Sequence, residues 1–214
     1  MRQLDATTSQ FTEQLDALLA WDLSVDSAID TQVSDIIKRV RTHGDEELLA
    51  LTRQFDRVDA AELSELEIGQ DELASAWAAL HSDAQQALQT AADRIRRFHE
   101  RQREESWSYV DELGCELGQK IQPLDRVGVY VPGGQAAYPS SVLMTLIPAK
   151  VAGVKDVLVV SPTPGGERNA MVLAALHLAG ADRVFAVGGA QAVAALAYGT
   201  QSVPRVDKIV GPGN

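Results

Sequence analysis

The order of apolar and polar residues divides the chain into two regimes that change over near Gln122. Before that point, apolar residues recur three or four positions apart, the repeat that lines one face of an α-helix. Phe11, Leu15, Leu18 and Leu19 predict a short helix before Trp21. Ile29, Val33, Ile36, Ile37 and Val40 predict a second over Ser27–Arg41, with Gly44 as its C-terminal stop. Asp45–Phe55 and about Asp71–Leu80 read as further helices, separated by a strand-like piece at Leu66–Ile68. The clearest stripe, Ala84, Leu88, Ala91, Ile95 and Phe98, predicts an amphipathic helix over Ala84–Arg103. Its back carries Asp93, Arg94, Arg97 and Arg101, a solvated charged face. Trp107–Ile121 alternates around Gly114 and Gly118 and reads as a hairpin.

After Gln122 the period changes. Short apolar runs at Val127–Val131, Val157–Val160, Val184–Val187 and Lys208–Val210 read as buried strands. They start 30, 27 and 24 residues apart, the length of a strand plus a crossover helix. Between them Ser140–Val151, Glu167–Leu178 and Ala190–Tyr198 are dense in Ala, Leu and Val. The second is apolar on nearly every side, which places it between layers. Pro148 should kink or split the first, because proline cannot donate to the carbonyl of Met144. Parallel strands with helical crossovers on both faces follow. The expected fold class is α/β: a helical region with a short hairpin over residues 1–125, then a doubly wound, mostly parallel sheet unit over 126–214.

In such a sheet, ligands bind beyond the carboxyl ends of the strands. The four segments there are Pro132–Ser141, Ser161–Gly166, Gly188–Gln191 and Gly211–Asn214; all contain glycine and three contain proline. The opposite edge has ordinary polar turns, Gly153–Asp156 and Gly180–Arg183. Glycine admits close backbone approach, and a following helix start offers free N–H donors. Tight-turn geometry alone would also explain glycine in any one loop. No segment matches G-x-G-x-x-G, and no G-K-[ST] loop is present. The loops by themselves support a small-molecule or anion site, with a nucleotide as one candidate.

Composition narrows the partners. Thirty acidic residues against nineteen Lys and Arg give a net charge of -11, against a nucleic-acid partner. An anionic cofactor stays open, since helix starts hold phosphate without a basic patch. No run of about twenty apolar residues suggests a membrane span. Met1–Ala20 lacks a signal-peptide core, and the single Cys115 cannot form an internal disulfide, so a cytoplasmic protein is expected. His43, His81, His99 and His177 are dispersed in helical contexts, His177 inside a buried-looking helix, and all read as structural.

Five segments also resemble, in order and spacing, the histidinol dehydrogenase family. They are Val127-Gly-Val-Tyr-Val-Pro-Gly-Gly134, Tyr138-Pro-Ser-Ser-Val-Leu-Met144, Ile147-Pro-Ala-Lys-Val-Ala-Gly153, Val187-Gly-Gly-Ala-Gln-Ala192 and Val206-Asp-Lys-Ile-Val-Gly-Pro-Gly-Asn214. In the helical half, Arg53-Gln-Phe-Asp56 and Arg94-Ile-Arg-Arg-Phe-His-Glu-Arg-Gln102 add to the likeness. The resemblance implies a Rossmann-like unit of the kind aldehyde dehydrogenases share. It also implies a zinc-dependent homodimer that oxidises L-histidinol to L-histidine in two steps with two NAD. The family's NAD contacts fall on Tyr130, Gln191 and Asn214. Strand packing is the competing role for Tyr130. The family's zinc ligands and its Glu–His acid/base pair lie beyond Gly211–Asn214, so no catalytic or metal residue is expected within these 214 residues.

The resulting expectation is an N-terminal portion, incomplete at the C-terminus of the sheet unit and inactive alone. A terminal carboxylate on Asn214 would disfavour pyrophosphate and hold NAD affinity weaker than micromolar. The exposed apolar surface left around the last strand and the N-terminal helices would favour association. A stand-alone nucleotide or small-molecule binding remnant is the alternative. An aldehyde-dehydrogenase-like enzyme would need a nucleophilic cysteine, and Cys115 precedes the sheet.

Overall fold

A computed structural model describes residues 4–19, 27–133 and 138–212. The chain divides into two compact units, Met1–Asp35 and Ile36–Asn214. In the first, the Asp5 carboxylate accepts from the backbone N–H and hydroxyl of Thr7 in a turn that precedes α1, Phe11–Leu19. Phe11 and Leu15 of the predicted stripe are half-buried, and Leu18 is exposed. Helix α2, Ser27–His43, begins in this unit and continues into the second, where Ile36 and Val40 are buried.

The second unit is built around a five-stranded sheet. Gly44 ends α2 and opens α3, Asp45–Asp56, with a positive φ of 61°. A 3-10 turn at Leu63–Leu66 leads into β1, Glu67–Ile68. Helices α4, Gln70–Ala79, and α5, Ser82–Glu100, follow. The hairpin pairs β2, Trp107–Val110, with β3, Glu116–Gln119, and all eight of its strand residues are exposed. The alternation then gives β4 Arg126–Tyr130, α6 Pro139–Val151, β5 Asp156–Val160, α7 Ala170–Ala179, β6 Arg183–Phe185, α8 Gly189–Tyr198 and β7 Lys208–Val210.

The sheet order is β1-β6-β5-β4-β7. Strands β4 to β7 are mutually parallel, as their fully apolar interiors require, and β1 adds one antiparallel edge through Glu67↔Phe185 and Ile68↔Val184. Chain direction across the sheet reverses after β6, so right-handed crossovers put α6 and α7 on one face and α8 on the other. Helix α7 packs against α4 and α6, whereas α8 packs against α3 and β7. The expected sandwiching of α7 holds: Val172, Leu173, Ala174, Ala175, Leu176 and Ala179 are all buried.

Three details depart from the sequence reading. Pro148 does not split α6; the helix runs on to Val151, and Ala152 N–H donates to the Pro148 carbonyl at 2.9 Å. The carbonyl that Pro148 leaves free belongs to exposed Met144, where solvent can satisfy it. Phe98, assigned to the core stripe, is 63% exposed, because the buried face of α5 turns through Leu88 and Ala92 instead. His177 is exposed rather than buried, lying 6.5 Å from the Trp77 ring.

Asp56, at the end of α3, is a buried acid at 8% exposure whose Oδ2 has no hydrogen-bond partner. Desolvation raises its pKa, because burial penalises the charged form. The folded state therefore binds this proton more tightly than the unfolded chain does. That penalty is absent below the unfolded carboxylate pKa, grows as pH rises towards the folded value, and is fully present above it. Asp56→Asn should raise the melting temperature at pH 7 by about 2–4 °C, for a gain of about 1 kcal/mol. It should also flatten the decline of stability with rising pH. Melting curves from pH 4 to pH 8 check both; a lower melting temperature at pH 7 would contradict the assignment.

Candidate functional site

The strand order places β4 between β5 and β7, and the helices after β4 and β6 leave on opposite faces. The crevice that opens between the carboxyl ends of β4 and β7 is the topological switch point, the place where open α/β sheets take ligands. Tyr130 closes β4, and Gly211 follows β7 directly. Gly211 has φ 137°, and a Cβ there would overlap the Tyr130 carbonyl oxygen, so these two strand ends touch through bare backbone.

Two of the three expected site residues come together here. The Tyr130 hydroxyl accepts from the Gly189 N–H at 3.1 Å, occupying a free donor at the start of α8. Its own O–H is left to donate. Gln191, two residues further, is 1% exposed, and its Oε1 lies 2.6 Å from where a Gly189 Cβ would sit. The Gln191 carboxamide thus folds back over the helix start, and it has no hydrogen-bond partner among the described residues. Asn214 lies outside the described residues. Gly211, three positions earlier, carries the chain to the same crevice.

The rim glycines serve first to pack loops against one another. A Cβ on Gly133 would overlap the Pro162 carbonyl oxygen, and one on Gly188 would overlap the Pro162 ring. The loops after β4, β5 and β6 are thereby pressed into one layer. Beside that layer, past β5 and under the start of α7, lies a cavity of about 530 Å³. Ser161 and Thr163 line it, residues to which the sequence reading gave no role. Asn169 caps α7 by accepting from Met171 N–H at 3.0 Å and Val172 N–H at 3.2 Å, and Arg168 is paired with Glu72 at 2.6 Å.

The opposite edge is stitched shut. The Asp182 carboxylate accepts from Val157 N–H at 2.6 Å and pairs with Lys150 at 2.5 Å. Asp207 accepts from Arg126 N–H at 2.9 Å, and Arg126 reaches Asp156 at 3.1 Å; its Nε alone lacks a partner. Apart from that atom, polar groups at this edge answer one another, whereas at the carboxyl rim the Gln191, Ser161 and Thr163 side chains make no hydrogen bond within the described residues.

No three His, Cys, Asp or Glu side chains gather at a metal-binding distance among the described residues. Cys115 is exposed in the hairpin turn. No helix among the described residues is long and apolar enough to cross a membrane.

The histidinol dehydrogenase family model matches residues 22–214. The histidinol dehydrogenase of Aromatoleum aromaticum is 58% identical over all 214 residues, which cover 49% of that protein. The Chromobacterium violaceum histidinol dehydrogenase is 56% identical over the same span, again 49% of its length. The crystal structure of the Elizabethkingia anophelis histidinol dehydrogenase superposes with a TM-score of 0.80 at 31% identity, covering 87% of this chain and 42% of that one. The chain spans about half the length of the curated relatives it matches. With a match across residues 22–214 and relatives more than half identical from end to end, this chain belongs to the histidinol dehydrogenase family.

Proposed function

We propose that this chain is the N-terminal, cofactor-binding portion of an L-histidinol dehydrogenase, an NAD-dependent oxidoreductase of histidine biosynthesis. The complete protein would convert L-histidinol to L-histidine in two oxidations, as a cytoplasmic, zinc-dependent homodimer. Residues 126–214 would form the cofactor unit and residues 1–125 the helical region beside it. Family membership supports the reaction. The observation that carries the cofactor reading is the Gln191 side chain at the sheet's switch point, engaged by no hydrogen bond within the described residues and set beside the helix start that the Tyr130 hydroxyl holds.

Zinc does not fit the described residues, which bring no ligand set together. NAD fits the rim better. When bound, it would supply the hydride acceptor. Tyr130, Gln191 and Asn214 would hold it. Tyr130 can present its ring edge and donate its hydroxyl proton while Gly189 N–H holds the oxygen in place. Gln191 can offer both an amide donor and an acceptor to a carboxamide. The chain alone binds and orients but performs no oxidation.

Gln191→Leu keeps side-chain volume and removes the amide. It is expected to weaken nicotinamide mononucleotide binding at least tenfold, about 1.4 kcal/mol, while leaving thermal stability equal or higher. Ligand-observed NMR titration in the millimolar range reads this directly. Unchanged affinity in the variant would remove the support for the reading.

A further inference from the structure

We infer that the β2–β3 hairpin joins two copies of this chain edge to edge along β3, in one antiparallel four-stranded sheet. The inference adds a contact surface to the homodimer reading above and rests on that reading. An unfinished sheet, an open edge and a self-complementary charge pattern carry it.

A two-stranded hairpin is marginal in water until a further strand or a packed face supports it. Here β2 and β3 pair only with each other, and all eight of their residues are exposed. Trp107 and Tyr109 stack on one face with ring centroids 6.3 Å apart, and Leu117 pairs with Tyr109 beside them. The turn fixes which backbone groups look outward. Asp111 N–H donates to the Cys115 carbonyl at 2.9 Å, so these two form a hydrogen-bonded pair. Alternation along the ladder then puts Tyr109–Leu117 and Trp107–Gln119 in hydrogen-bonded pairs, and Val110–Glu116 and Ser108–Gly118 in the others. The close approach at Gly118 agrees, since a Cβ there would stand 2.8 Å from the Ser108 Cβ. Glu116 and Gly118 therefore turn their N–H and C=O groups out to solvent along β3. Native edges are usually guarded by charge, proline or a bulge at mid-strand. The middle of β3 is Gly118, with no side chain at all.

Charge selects the occupant and the edge. Two β3 strands related by a two-fold axis at Gly118 set Glu116 of one copy opposite Lys120 of the other, twice, and Leu117 opposite Gln119. Both charged residues are exposed, and neither is in an ion pair among the described residues. The corresponding pairing of β2, centred on Ser108, would stack Trp107 on the second Tyr109. It would also set Glu105 against Asp111 and Glu104 against Glu112. Like charges directly opposite one another are destabilising, so β2 is closed to a second copy and β3 is open.

The test is sedimentation equilibrium of the 214-residue chain over a range of concentrations. The expected result is a reversible dimer. Glu116→Lys and Lys120→Glu should each weaken it at least tenfold, about 1.4 kcal/mol, with an unchanged circular dichroism spectrum. An equimolar mixture of the two single variants should form a heterodimer, because both cross-copy pairs are then attractive. The variant carrying both changes should regain the wild-type dimer. As a geometric check on a Cys115→Ser background, Leu117→Cys with Gln119→Cys should give a covalent dimer on oxidation, and Trp107→Cys with Tyr109→Cys should not. Monomers at every concentration, a dimer indifferent to both reversals, or cross-linking only through positions 107 and 109 would overturn the inference. The homodimer reading fails separately, on a monomeric full-length protein.

Discussion

Phe185→Ala is expected to cost about 3–5 kcal/mol, the largest single-residue loss in this fold. Phe185 is the bulkiest of the fully buried side chains, at 1% exposure. It ends β6, where its backbone pairs with Glu67 of β1, and its carbonyl accepts from Ser161 N–H at 3.0 Å. The Arg183 guanidinium lies 4.8 Å from the ring centroid and is itself held by Glu67 through two bonds of 2.7 and 2.6 Å. Those bonds raise the Arg183 pKa further, so the cation persists at every working pH. Truncation removes the transfer energy of the ring, opens a cavity where the ring was packed, and leaves the Arg183–Glu67 pair without its aromatic platform. Urea unfolding measures the loss; a change below about 1 kcal/mol would show that the ring packs loosely.

Gly188→Ala is the second large effect, expected at about 1–3 kcal/mol, and it acts on the site as well as on stability. Backbone strain is not the cause, since φ at Gly188 is -133°, open to any residue. The cause is space. The added Cβ would overlap the Pro162 ring, and Pro162 is already pressed against Gly133 from the other side. Relief requires the loops after β5 and β6 to separate, which shifts Gly189 away from the Tyr130 hydroxyl and lifts Gln191. The variant should therefore melt lower and bind nicotinamide mononucleotide more weakly. Wild-type stability in Gly188→Ala would mean that these loops do not form one packed layer.

Much of the sheet unit is legible in the sequence because a strand buried on both faces must be apolar throughout. Val127, Val129, Val157, Val159 and Val184 are such positions, all nearly inaccessible to solvent. The rim is legible for a related reason: Gly133 and Gly211 stand where backbone meets backbone, and Gly188 where backbone meets the Pro162 ring. Pairing is another matter. Nothing in the two residues Glu67 and Ile68 announces that they close the sheet against β6, because that contact depends on the chain's return more than a hundred residues later. Phe98 fits the helical stripe by spacing alone, and only the packed partner decides that Leu88 and Ala92 are buried instead. Ser161 and Thr163 look like ordinary loop residues, and only the folded chain shows that they are buried against a cavity. The Tyr130–Gly189 bond joins residues from two separate strand ends, and its partners are visible in sequence only through the family resemblance.

The sheet's two edges differ in how they treat polar atoms, and that difference carries the functional account. At the amino edge, Asp182 and Asp207 close off backbone donors, so that edge is finished by the chain itself. At the carboxyl edge the Gln191, Ser161 and Thr163 side chains make no hydrogen bond within the described residues, around a crevice and a cavity. A crystal structure of this chain soaked with NAD tests the claim most directly. Density is expected along the carboxyl rim, with the nicotinamide end beside Tyr130 and Gln191. Density confined to the groove between His99 and Pro148, or an empty rim at saturating NAD, would contradict it.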